Sequence, residues 1–390
     1  MAKKNTLRNS ILALLVALPA NQAFAGVEAS FRYPLSNFSG PVRSHWARLA
    51  VDPERNEVYA LHQRRNDIRI FDEHGMEIFV FAEGYGAAAD IAIGTDGDIF
   101  LLSRGYQTSA VHLLNYRGEW VADIPLQDVP DAFAGLAADR LVYQNGLLYL
   151  VDSDSMKVIA IDEAGRFEKG YDLAREIKPF IPREEFQREL AVVDWRRRQL
   201  DDIDLNGFAV DEQGNVFFTV AVLFSAFKLS PSGEMTQFGR SGSGKGKFGV
   251  AAGIAIDDMG YVYVSDRLRS VVIVFDRDLE FQTEFGYRGN QPSNLIVPDD
   301  LAIDSSGNVY VGQAANRGVS VFKVVHQGTN SPQASESVLN NQEQSGQAIE
   351  EVEVDHLEFV VDEGVGRATG SSDRNNEEVE SHNNEVKQDE

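Results

Sequence analysis

The chain has no cysteine among its 390 residues. Disulfide staples, thiol catalysis and lipid attachment through an N-terminal cysteine are therefore excluded. Positive charge is also scarce: 36 Lys and Arg face 60 Asp and Glu, leaving a formal net charge of −24. A surface of that sign repels phosphate, so a nucleic-acid partner is not expected. Only Ile11 to Ala20 (ILALLVALPA) forms a long apolar run, and it is too short to span a bilayer. Histidine is thin, with seven residues and no HExxH pair, and there is no GxSxG elbow for a nucleophilic serine.

The one apolar run has the setting of an export signal. Lys3, Lys4 and Arg8 precede it, and Ala23-Phe24-Ala25 follows as a small-x-small cleavage pattern. Residues 1–25 are expected to be removed, leaving a chain with no membrane span in the periplasm or exterior of a bacterium.

The stretch FGRSGSGKGKFGVAAGIAIDDMGYVYVSD, from Phe238, nearly completes a phosphate-binding loop at Gly239, Gly244 and Lys245. Gly246 stands where the magnesium-binding Ser or Thr belongs, and two strand-like runs follow where a helix is needed. The back half of the stretch recurs instead. Gly253-Ile254-Ala255-Ile256-Asp257 returns as Asp300-Leu301-Ala302-Ile303-Asp304 and as Gly207-Phe208-Ala209-Val210-Asp211, each followed by a glycine turn and a second strand. Fainter copies end at Asp52, Gly94 and Tyr143. A third and a fourth strand complete each unit, as in VIVFDRD and FQTEFG. Four short strands at a period in the forties are the signature of a propeller blade.

These residues resemble the NHL-repeat family of β-propellers. The likeness rests on Phe238-Gly239, the glycines from Gly242 to Gly246, Phe248, Gly253 to Asp257, Val262 to Asp266 and Val274-Phe275-Asp276, with Pro298 opening the next unit. The expected fold is all-β: a six-bladed propeller of four-stranded antiparallel blades over residues 26–325. First strands are expected near Ala50, Ala92, Val142, Ala209, Ala255 and Ala302. The sixth unit supplies only three strands, so Val27 to Tyr33 is expected to close the ring as its fourth.

Two segments fall outside the blade pattern. The step from Val142 to Ala209 carries an insert at about 172–204, in which Pro182, Glu184 and Glu185 start a helix with Phe186, Leu190, Val193 and Leu200 on one face. Trp195, Arg196, Arg197 and Arg198 at its far end are either a solvated helix end or a docking element. Residues 326–390 are rich in Ser, Asn, Gln and Glu. From Glu336 on they hold 16 acidic residues against three basic ones, an acidic tail expected to be disordered. Its island from Val352 to Val361 is either a solvated spot or a strand that adds to a partner's sheet.

Loops entering the first strands ring one mouth of a propeller's channel. They place Arg48, Asp90, Arg140 and Asp300 there, with Asp139, Asn206 and Asp299 one residue earlier. Asp90, Asp139, Asn206, Asp299 and Asp300 form a candidate Ca²⁺ site, with Arg48 and Arg140 as ligand- or partner-binding groups. The resemblance extends to peptide-amidating lyases with a histidine-bound zinc and to propellers that bind RNA on a basic face. Here only His45, His62, His74 and His112 lie in the blades, and the charge is acidic. Two function classes follow. The favoured one is an exported scaffold that binds other exported proteins, with no resident cofactor. The alternative is a metal-dependent lactonase or lyase at the channel mouth.

Overall fold

A computed structural model describes residues 26–81, 87–105, 109–181 and 203–326. The expected signal, the expected tail after His326 and most of the insert, including Trp195, Arg196, Arg197 and Arg198, lie outside the described residues. Six four-stranded antiparallel sheets form the ring. Their innermost strands, in blade order, are Arg48–Asp52, Ala88–Ile93, Arg140–Gln144, Gly207–Val210, Ala251–Ile256 and Pro298–Ile303. Each blade is a meander from channel to rim, as the sequence period requires.

Why the blades stack is visible in their residues. Strands are rich in β-branched and aromatic side chains, and both faces of each sheet are covered by its neighbours. The buried side chains fall into separate clusters, one at each interface between adjacent blades. At the interface of blades 5 and 6, Tyr263, Val272, Val274 and Phe285 meet Leu301, Val309, Val311 and Phe322. The aspartates that follow the first strands start hairpin turns. Asp304 Oδ1 accepts from Asn308 N at 2.8 Å, and Asp257 Oδ1 accepts from Tyr261 N at the same distance.

The glycine-rich stretch from Phe238 is the crossover into blade 5. It folds around Phe248, which is fully buried, with Gly242 N donating to Phe248 O at 3.0 Å. Gly239 has φ +74 and a side chain there would run into the Phe248 ring, so both conformation and space demand glycine.

Ring closure by the N-terminal strand is present. Val27–Pro34 lies on the outside of blade 6, paired antiparallel with Val319–His326 from Val27↔His326 to Pro34↔Ser320. Val27, Ala29 and Phe31 pack into the cluster between blades 5 and 6. A register shift between Phe31 and Tyr33 then turns Tyr33 to the other interface, between blades 6 and 1. One strand thus seals two blade junctions. The final strand also runs one residue past the expected boundary: His326 Nε2 sits 3.0 Å from Asp257 Oδ2, and its ring lies 3.9 Å from that of Tyr261.

Of the insert, Leu173–Glu176 is a short helix and Lys178–Phe180 a 3₁₀ turn. Leu173 and Ile177 are buried in the cluster of blades 3 and 4, and Ile203 and Leu205 return to that same cluster. Both ends of the insert are therefore anchored on one blade junction.

Deleting residues 27–33 bares an edge of blade 6 and uncovers two interfaces. Loss of cooperative unfolding and concentration-dependent oligomers in light scattering are expected. Phe31→Ala alone should cost about 2–3 kcal/mol in denaturant unfolding, below the full value for a core phenylalanine because Phe31 is only half-buried. A deleted chain that stays monomeric and equally stable would contradict the closure.

Candidate functional site

The first strands of all six blades line a central channel of about 230 Å³. At its mouth the structure brings together Arg48, Asp90, Arg140 and Asp300. Their identities follow the local strand geometry. The first strands of blades 2 and 6 carry register shifts at Ala88/Asp90 and Pro298/Leu301, whereas Arg48 and Arg140 pair regularly with Leu61 and Val151. The irregular strands supply the carboxylates and the regular ones the guanidinium groups.

Each carboxylate clips one blade to the next. Asp300 Oδ2 accepts from Leu49 N of blade 1 at 2.8 Å. Asp90 Oδ2 accepts from Leu141 N of blade 3 at 2.9 Å, and its Oδ1 from Ile91 N at 2.9 Å. Arg48 and Arg140 approach Asp300 Oδ1 at 3.9 and 3.7 Å, and Arg140 also donates to the Asn206 carbonyl. Burial pushes the Asp90 carboxyl up to about 7 against the pull of Arg48, and it raises Asp300 against Arg48 and Arg140. Burial, with Arg48 alongside, lowers Arg140; at Arg48 burial acts the same way, but Asp300 and Asp90 outweigh it and raise it.

The other expected ligands are turned to local tasks. Asp139 Oδ1 accepts from Ser153 N at 2.9 Å and Asn206 Oδ1 from Ala221 N at 2.7 Å. Asp299 is held by Arg267, whose guanidinium carbon lies 5.3 Å from the Trp46 ring centre. Among the described residues no group of three His, Asp or Glu side chains is arranged to hold a metal ion. The five residues of the candidate Ca²⁺ site thus share a rim without converging on a point.

One constellation escaped the sequence altogether. On three adjacent strands of blade 2, Ser103 Oγ lies 2.7 Å from His112 Nε2, and His112 Nδ1 lies 2.7 Å from Asp123 Oδ1. The tautomer that satisfies all three has Nδ1–H donating to Asp123 and Nε2 accepting from Ser103. Trp120 packs on the imidazole at 4.5 Å. The signal was available only through pairing: His112 stands opposite Leu101 on one side and Asp123 on the other.

No family model matches the chain, and no curated protein matches it. Among solved structures it is similar to a streptogramin B lyase, at 11% identity and TM-score 0.51, covering 77% of this chain and 98% of that one. A gluconolactonase from Xanthomonas campestris aligns at 11% identity and TM-score 0.50 over 73% and 88% of the two chains. A protein of unknown function from Bacteroides thetaiotaomicron aligns at 14% identity and TM-score 0.52 over 77% and 76%. At such identities the likeness shows the fold, a six-bladed propeller, and leaves the chemistry to the residues of this chain.

The mouth cluster has a pH signature. A carboxyl raised in the folded state binds more protons there than in the unfolded chain, so its contribution to stability is present at low pH and is lost as pH rises through about 7. Asp67 behaves oppositely: burial is overcome by hydrogen bonds from His62 and Arg69, which bring it to about 2, so its contribution is lost only as pH falls below about 4. Stability should therefore peak near pH 4 and fall by on the order of 1–4 kcal/mol as pH rises from there to about 7. Asp90→Asn should flatten that slope even if it lowers stability throughout. An unchanged slope, read from denaturant unfolding at several pH values, would clear Asp90 of this role.

Proposed function

We propose that the chain is a binding propeller of the NHL type, exported by its N-terminal signal, that holds another exported protein. The observation that carries this reading is a contrast between outer strands. Those of blades 1 and 2, Glu77–Phe81 and Trp120–Ile124, expose Ile78, Phe79, Val80, Trp120 and Val121. The outer strands of blades 3 and 4 expose Glu168, Lys169, Thr236 and Gln237 at comparable places. Apolar side chains on two neighbouring edge strands form the kind of surface that protein partners cover. A groove of about 250 Å³ beside them, lined by Arg55, Glu57, Tyr59, Phe79, Tyr116 and Arg117, adds aromatic and arginine groups of the sort enriched in interface hot spots. Trp195 with Arg196, Arg197 and Arg198 in the insert is proposed as a second contact. The mouth carboxylates support the same reading, since each spends at least one oxygen on a structural hydrogen bond or ion pair.

A second reading rests on Ser103, His112 and Asp123. It keeps the enzyme alternative but moves it from the channel to blade 2 and from metal to acyl chemistry. Ser103 Oγ would attack an acyl carbon while His112 takes its proton and returns it to the leaving group; water would then repeat the exchange, and Asp123 would hold the imidazole in place.

Two measurements separate the readings. Phe79→Ser with Trp120→Ser changes only exposed positions and should leave the unfolding transition intact. It should weaken retention of an exported partner, identified by capture on the wild-type chain, at least about tenfold, the scale of losing one hot spot. Equal retention would sink the binding surface. A fluorophosphonate probe should leave the wild-type chain unlabelled on the first reading. Labelling at Ser103 that disappears in both Ser103→Ala and His112→Ala would establish the second.

A further inference from the structure

The mouth of the channel holds more donors than acceptors. Arg48 Nη1 and Arg140 Nε are buried and have no hydrogen-bond partner among the described residues. Arg140 as a whole is 8% exposed and lines the channel. Two guanidinium groups carry ten N–H donors between them. The acceptors around them are already engaged: Asp300 Oδ2 and both Asp90 oxygens take backbone amides, and Asp299 Oδ1 takes Arg267. Asp300 Oδ1 is left to serve both arginines at 3.7 and 3.9 Å, beyond hydrogen-bond length. A buried donor without an acceptor is costly, more so when it is charged, so two side by side, one of them lining the channel, call for an occupant.

We propose that the channel mouth is a binding site for one small planar monoanion of the carboxylate class, held between Arg48 and Arg140. Charge, shape and size agree on this class. Two arginines with unpartnered N–H donors call for negative charge on their side of the mouth. Asp139 and Asp299, the remaining acids that face the arginines, are tied to Ser153 N and Arg267. A carboxylate presents two coplanar oxygens, the shape that guanidinium groups bind best. The channel, at about 230 Å³, is below the roughly 300–1,000 Å³ of drug-sized pockets and suits a molecule of a few heavy atoms. This site is independent of the outer strands of blades 1 and 2 and of the Ser103 line.

The test uses the full chain and isotopically labelled formate and acetate, titrated at constant ionic strength and followed by NMR line broadening. Saturable binding of one equivalent is expected. Arg140→Gln should weaken it by at least about tenfold, the worth of one charge-assisted bidentate contact. Arg48→Lys keeps the charge but loses the planar fork, so a several-fold loss is expected there too. It stands in as the deciding variant if Arg140→Gln does not fold. Absence of saturation in the wild-type chain, or equal affinity in the folded variants, overturns the proposal. Equal competition by chloride overturns the carboxylate assignment, because a spherical ion makes no use of the fork.

Discussion

The inner edge of every first strand faces the channel, where no further strand can pair with it. A ring of six such edges leaves backbone amides at the axis, and each must find an acceptor that is not a β-ladder. This constraint governs the centre of the molecule. Blades 1 and 3 meet it with carboxylates from their predecessors, Asp300 on Leu49 N and Asp90 on Leu141 N. Blade 5 meets it with a hydroxyl, Ser265 Oγ on Gly253 N at 2.8 Å. Once carboxylates are drawn to the axis, arginines must follow to balance them, because lone buried charges are too costly to keep. The charge cluster is thus a consequence of closing the ring, and its leftover donors are a consequence of using two arginines to do so.

The rim answers the same problem by other means. Val27–Pro34 covers the outer edge of blade 6 and holds two interfaces through a single register shift. Among the described residues, blades 1 and 2 expose apolar side chains on their outer strands, the surface proposed above for a partner.

Much of this was legible in the sequence because propeller blades are local objects. The repeated GIAID and YVYVSD runs, the glycine before Phe248 and the three-stranded last unit all lie within a few dozen residues of one another, and turn chemistry fixes their register. Arg48, Asp90, Arg140 and Asp300 do gather at the mouth for the same reason, since each lies in the opening residues of a first strand. What they do once gathered was not legible. Whether Asp90 faces a metal or the amide of Leu141 depends on a bulge at Ala88/Asp90, which no spacing announces. Ser103, His112 and Asp123 stayed hidden for a related reason. They sit on three strands of one blade, and only the pairing register brings Ser103 and Asp123 to opposite sides of one imidazole. His326 was read from composition as the start of the tail, yet its ring is fixed on Tyr261 by contacts spanning more than sixty residues of sequence.

The mouth is also lopsided, and the asymmetry bears on what it can admit. Charged side chains enter from blades 6, 1, 2 and 3, while blade 5 offers Gly253, where any side chain would collide with the Asp299 carbonyl. Ser265 Oγ donates to that same carbonyl at 2.5 Å, so blades 5 and 6 approach backbone to backbone. That close seam and the charged arc opposite are two sides of one geometry. Where the strands crowd together there is room only for glycine and small hydroxyls; where they stand apart, long side chains must fill the gap and carry their charges into it. Arg48 and Arg140 belong to the roomy arc, and their reach towards a single carboxylate oxygen is what a ring of unequal spacing leaves behind. Symmetry alone would have given six equivalent mouths of glycine or six of aspartate. The departure from symmetry in blades 6, 1, 2 and 3 is what gives the closed ring a charged arc on one side.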